Sequence, residues 1–277
     1  MWANLAQLPR YRGLIQSLVA RELKARYRGS ALGMFWSFGN PLLLLLVYST
    51  VFKYFVAARA DVQPYALFLC CGLLPWTWFA ASLNESANSL VAGGNLIKKV
   101  LFPAEILPIV SVLANMVQFL LALPILAGFL LYYANTPIVG PDGVAIPPRV
   151  ALHFAELVWL PLVVLVQLVL TTGLALLLSA LTVHFRDIKD ILSNVLTFWF
   201  FATPIIYPWF SVTHLKFWLD LNPFTHLAVS YQEILFNPEN AFGHLSWLLA
   251  LGAGSVAMFF AGYWVFDRLR DSFAEVA

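Results

Sequence analysis

Charge is scarce in this chain. Only 11% of its 277 residues are Asp, Glu, Lys or Arg, 61% are hydrophobic, and the mean hydropathy is +0.80. Soluble domains carry about 25% charged residues, and a soluble fold has nowhere to hide so much apolar surface. The net charge of +2 lacks the basic footprint of a nucleic-acid binder. Cysteine is limited to the adjacent pair Cys70 and Cys71 inside an apolar run, which reads as core filling rather than metal ligation. No stretch matches the phosphate-cradling Walker A loop, and none has the H-E-x-x-H spacing of a zinc site. D-x-D is missing, and His153, His184, His214, His226 and His244 are scattered. A membrane glycosyltransferase or acyltransferase would need a carboxylate or histidine constellation that is not evident. Lys53 and Glu156 fall near one set of ends of the apolar runs, and Glu85 and Glu105 near the other. Each is expected to snorkel to an interface. The proton relay or ion cage of a coupled transporter calls for intramembrane charge. Another chain must therefore supply the energy if this one moves a solute. No leader peptide is expected, since the first apolar run starts near Leu32 and lacks a small-residue cleavage site.

Long apolar runs dominate what is present. A spanning helix needs about 20 apolar residues, and six runs qualify: about 32–56, 65–90, 104–133, 151–183, 190–208 and 243–266. The expected fold is an all-α membrane protein. Residues 1–31 form a cytoplasmic tail with an amphipathic helix, and 32–277 form a six-helix transmembrane domain. Cation placement sets the orientation. With the N-terminus inside, the cytoplasmic segments hold Arg10, Arg12, Arg21, Lys24, Arg26, Arg28, Lys98, Lys99, Arg186, Lys189, Arg268 and Arg270, which is 12 of the 16 Lys and Arg. Lys53, Arg59, Arg149 and Lys216 fall outside.

Residues 10–28 are not a span. Tyr11, Leu14, Ile15, Leu18, Val19, Leu23 and Tyr27 recur at helical spacing, opposite Ser17, Arg21, Lys24 and Arg28. This is the pattern of a helix lying in the headgroup region, either as a plain anchor or as a surface that also meets a cytosolic partner. Gly29 and Gly33 follow where the chain must turn into the membrane. In "NSLVAGGNLIKKVLFPAEILP" (88–108), Asn95 can cap a short cytoplasmic helix bearing Lys98 and Lys99; a plain loop is the alternative. Asp187 and Asp190 beside Arg186 and Lys189 read as a solvated cluster. In 204–242, Asn222 before Pro223 is a helix start. Phe224, Leu227, Ala228, Tyr231, Ile234 and Leu235 then form an apolar stripe too short to span, expected at the outer interface or as a re-entrant hairpin. Aromatic residues make up 16% of the chain. Phe38, Tyr48, Phe52 and Phe55 fall along the first run, and Phe198 and Phe201 share a face of the fifth, with Tyr207 and Trp209 beyond. These are either packing and interfacial belt, or the lining of an uncharged path for sugar rings.

Taken together, "RELKARYRGSALGMFWSFGNPLLLLLVYSTVF" (21–52), "GLLPWTWFAASLNESANSLVAGGNLIKKVLFPAEILP" (72–108), "HFRDI" (184–188), "FWFFATPIIYP" (198–208) and "LNPFTHLAVSYQEILF" (221–236) resemble the permease subunits of polysaccharide-exporting ABC-2-type ABC transporters. The resemblance covers essentially the whole chain in order. It implies a non-enzymatic, channel-forming homodimer in the bacterial inner membrane, with both termini cytoplasmic. Two copies of a cytosolic ABC ATPase would bind ATP and Mg, and this chain would bind no cofactor. The cargo it implies is a polysaccharide on undecaprenyl diphosphate or another lipid carrier: O-antigen first, capsule or teichoic acid as alternatives, and a drug or simple lipid as a further one. Gly94, Asn95, Leu96, Ile97, Lys98 and Lys99 correspond to the ATPase-coupling element. Arg21, Lys24, Arg26 and Arg28 would meet the ATPase or the lipid diphosphate. Phe38, Tyr48, Phe52, Phe55, Phe198 and Phe201 are the candidate glycan path, and Tyr207, Trp209, Asn222, Pro223 and Tyr231 the outer gate.

Overall fold

The computed structural model describes residues 8–30, 33–54, 64–94, 103–135, 138–139, 145–146, 156–236, 242–270 and 273. The described residues are helical apart from turns and one two-residue antiparallel ladder. The helices are α1 (Arg12–Arg26), α2 (Trp36–Tyr54), α3 (Tyr65–Ala92), α4 (Ile106–Asn135), α5 (Leu160–His184), α6 (Ile188–Phe201), α7 (Lys216–Leu221), α8 (Pro223–Phe236) and α9 (Leu245–Leu269). The ladder pairs β1 (Ile138–Val139) with β2 (Ala145–Ile146) between α4 and α5.

Four helical stretches are long and apolar enough to cross a bilayer: α3, α4, Glu156–His184 and α9. Two of the six expected spans differ. α2 has 19 residues, but its apolar stretch covers only Phe38–Tyr48. α6 stops at Phe201 after 14 residues, about 21 Å of rise, short of a hydrocarbon core of about 30 Å. α6 ends there because Pro204 and Pro208 follow, and the Asn222 side-chain amide donates to the Ala202 carbonyl (3.2 Å) and the Thr203 hydroxyl (3.0 Å), satisfying the helix end.

α3 is the centre. Its most apolar window is 78% buried, against 17% for α9. Trp76 explains much of this, because its ring meets Phe224 of α8 at 4.8 Å and Phe200 and Trp199 of α6 at 5.8 and 6.2 Å. Phe79, one turn on, meets Trp199 at 5.3 Å and Phe224 at 4.8 Å. Polar side chains join the helices elsewhere. Trp78 Nε1 donates to the Val112 carbonyl of α4 (3.2 Å), and Gln167 Nε2 of α5 donates to the Pro75 carbonyl (2.8 Å). In hydrocarbon such bonds and close backbone contact replace the hydrophobic drive.

The bundle has two ends. At the proximal end, Leu90, Val183 and Phe266 share a cluster with Ala104 and Phe273, and α1 lays Leu14, Ile15, Leu18 and Val19 on Ile106 and Val110. Gly29 and Gly33 take positive φ (81° and 51°) between α1 and α2, so the expected turn lies in the left-handed region that favours glycine. At the distal end, α8 packs on α3, α5 and α9, and α7 packs on α8. α5 and α9 approach backbone to backbone: a Cβ on Gly173 would lie 2.7 Å from Phe259 Cα, and one on Gly262 would strike the Gly173 carbonyl. Gly262→Val is therefore expected to cost about 1–3 kcal/mol, read as a lower thermal midpoint in detergent. Gly254→Val is the control, since its Cβ meets nothing within 4 Å. Equal losses in the two variants would refute the close approach.

Candidate functional site

The four cations of the first candidate set separate. Arg21, Lys24 and Arg28 are exposed. Arg26 turns inward and donates from Nη2 to Glu85 Oε2 of α3 (2.5 Å) and from Nη1 to Asn115 Oδ1 and Gln118 Oε1 of α4 (2.9 Å each). Asn115 Nδ2 donates to the same Glu85 oxygen (2.6 Å), and Gln118 Nε2 donates to the Tyr27 hydroxyl (2.9 Å). Charge-assisted bonds of this kind are the strong ones. They fasten the end of α1 to two spanning helices.

This cluster corrects the snorkelling reading of Glu85, whose carboxylate faces Arg26 inside the protein. Glu105 departs from it too: it is 2% exposed, and its Oε2 lies 3.4 Å from Arg270 Nη2 without a hydrogen bond. Sequence reading missed Asn115 and Gln118. The available signal was their three-residue spacing in an otherwise apolar helix, which puts both amides on one face beside Glu85. Asn115 and Gln118 also floor a cavity of about 210 Å³ between α2, α3 and α4, walled by Trp36, Leu44, Trp78 and Phe119. Nearly all of its walls are uncharged, which suits an apolar or sugar-like guest better than an ion.

The aromatic stripe of α6 divides. Phe198 and Phe201 are 76% and 61% exposed on the outer face, while Trp199 and Phe200 turn inward onto Trp76. On α2, Phe38 is exposed and Tyr48 packs against the main core. The Phe52 side chain and Phe55 lie outside the described residues. So do Asn95, Leu96, Ile97, Lys98 and Lys99; of the coupling set only Gly94 is described, and it is buried.

At the distal end Asn222 is a hub. It accepts from Trp199 Nε1 (2.7 Å) and from the Phe224 amide (3.0 Å), so it caps α8 at Pro223 as its sequence position implies. All six residues of the expected α8 stripe are buried. Tyr231 is among them: its ring contacts Phe119 at 5.8 Å and it is 0% exposed, a core position at the centre of the bundle. The Tyr207 hydroxyl donates to the Phe201 carbonyl (3.3 Å), while Trp209 is 42% exposed beside a second cavity. His226 and His244 share a ring hydrogen bond of 3.0 Å beneath Trp247. Burial, and then His226, push His244 down to about 4 from its usual 6.5, with Asp220 opposing. Burial raises Glu233, against the pull of the Gly243 and His244 amides that it accepts. Among the described residues no group of His, Cys, Asp and Glu could hold a metal ion.

Such a bundle defines a class first: a multi-pass helical membrane protein with an internally neutralised ion pair at one end and exposed aromatic faces. Residues 13–236 match the ABC-2 type transporter family, and the chain belongs to it. It is 39% identical over 272 residues, 97% of each chain, to the O-antigen export system permease protein RfbA of Myxococcus xanthus. It is 30% identical over 265 residues to a protein of the same name from Klebsiella pneumoniae, covering 95% of this chain and 94% of the relative.

Removing Arg26 leaves the Glu85 carboxylate unpaired among helices. Arg26→Met is expected to cost about 2 kcal/mol, below the about 3–5 of a fully buried pair, because the side chains keep 19% and 38% exposure. Arg26→Met with Glu85→Met should recover more than half. A double-mutant cycle by thermal unfolding measures the coupling, and a value near zero would dissolve the tie. For His244 the folded protein resists protonation that the unfolded chain accepts below its usual 6.5. Its stabilising contribution is therefore complete above about pH 7 and is lost as pH falls toward about 4. Glu233, raised in the fold, acts with the opposite sign, so the His244 share is read as the difference in thermal midpoint between wild type and His244→Gln across that window. A difference that stays constant with pH would contradict it.

Proposed function

We propose that this chain is the membrane permease subunit of an ATP-driven exporter that carries lipid-linked O-antigen polysaccharide across the bacterial inner membrane. The observation that carries the reading is the 39% identity to an O-antigen export permease along 97% of both chains. Membership of the ABC-2 type transporter family supports a partnership with a cytosolic ABC ATPase that binds the ATP and magnesium. In this reading residues 1–31 precede a domain that crosses the membrane six times, with the shorter α2 and α6 counted beside the four long spans, and that works as a homodimer with both termini cytoplasmic. α1 lies at the cytoplasmic interface, where its exposed Arg21 and Lys24, with Arg28 just beyond its end, meet the ATPase or the carrier diphosphate. Arg26 instead passes motion of α1 to α3 and α4. α2 and α6 turn Phe38, Phe198 and Phe201 toward a path between two copies, where flat C–H sugar faces slide on rings. The segment from Tyr207 through α8 closes the outer end.

A clean deletion is expected to abolish surface O-polysaccharide, and the tagged protein should co-purify with an ABC ATPase. Phe198→Ala and Phe201→Ala, expressed at wild-type levels, should each lower surface glycan several-fold. Normal surface glycan in the deletion strain would overturn the proposal; normal glycan in both Phe variants would overturn the lined path alone.

A further inference from the structure

A cavity of about 330 Å³ opens at the distal end between α7, α8 and the start of α9, within the about 300–1,000 Å³ of small-molecule sites. We infer that this cavity is a saccharide-binding site, separate from the exposed Phe faces of α2 and α6, that takes one or two sugar rings of the exported glycan.

Its walls combine the two things that sugar recognition uses. Trp209 and Trp247 border it and keep 42% and 45% of their surface open. One face of Trp247 is covered by His226 (4.6 Å, 8° between planes), which fixes the ring. An indole held this way offers an apolar platform to the C–H face of a pyranose. Asp220 and Glu233 supply carboxylate acceptors for hydroxyls. Glu233 is already oriented, because its Oε2 accepts from the Gly243 and His244 amides at 3.1 Å each, leaving Oε1 for a ligand.

Thr225 also lines the cavity, but its hydroxyl oxygen is sealed from it, so Asp220 and Glu233 are the groups left to recognise sugar hydroxyls. The electrostatics select the chemical class. Two carboxylates against the single cation Lys216 disfavour a diphosphate headgroup and favour neutral or amino sugars. His244, held neutral, adds no positive charge.

The inference rests on the export reading for its ligand. The test titrates the detergent-purified full chain with oligosaccharides released by mild acid from the producing strain's own surface polysaccharide, reading Trp fluorescence, with maltose as the unrelated sugar. Wild type is expected to saturate with the strain's oligosaccharides and not with maltose. Asp220→Asn should weaken binding about tenfold, as loss of one charge-assisted hydrogen bond would, while the thermal midpoint stays level, because Asn keeps the side chain's shape. Trp247→Ala should abolish the signal. A flat wild-type titration, equal response to maltose, or unchanged affinity in Asp220→Asn would each overturn the site. These outcomes are separable from failure of the export reading, which shows as normal surface glycan in the deletion strain. A flat titration beside glycan loss on deletion removes only the cavity's role.

Discussion

Trp76 touches α6 and α8 at once, and the rest of the distal end is arranged around that contact. Its ring sits 4.8 Å from Phe224 and within about one ring width of Trp199 and Phe200. Aromatic pairs of this kind add to the area they bury. Because Trp199 and Phe200 are spent on Trp76, their neighbours Phe198 and Phe201 must face away. The outward stripe of α6 thus follows from the inward one. The same contact holds α8 under the end of α6, where Asn222 reads both backbones.

The proximal end is built on charge instead. Arg26 is the only member of its basic run that leaves solvent, and it does so because Glu85, Asn115 and Gln118 meet all of its reach. A partly buried pair of this type adds little stability over an apolar substitute. Its effect is geometric: α1 cannot shift without dragging α3 and α4 or breaking charged bonds. Such a stiff link suits an element that receives motion from a partner. Between the two ends, Gly173 and Gly262 let the backbones of α5 and α9 touch, with side chains packing on either side of that point.

Helix existence and burial were legible wherever one pattern dominated. The stripe of α8, the Asn222–Pro223 start and the glycine turn after α1 follow from local rules, and all three stand in the structure. Hydropathy misjudged α6. A sliding reading ran through Pro204 to Pro208 because those residues are apolar, whereas the helix ends where an amide 20 residues ahead satisfies its carbonyls. The burial of Tyr231 was illegible for a related reason. A tyrosine in an outer segment looks interfacial until α8 is seen packed on α3, with that ring against Phe119 of α4.

Composition by itself determined a helical membrane protein, and the ordered motifs carried its family resemblance, because bilayer insertion and helix capping act over a few neighbouring residues. The tertiary structure alone decided which cation of four turns inward, which rings of "FWFF" face out, and where two tryptophans and two carboxylates border one cavity. Each of these depends on contacts between residues far apart in sequence, such as Arg26 with Glu85 and Trp76 with Trp199, and no local spacing encodes them.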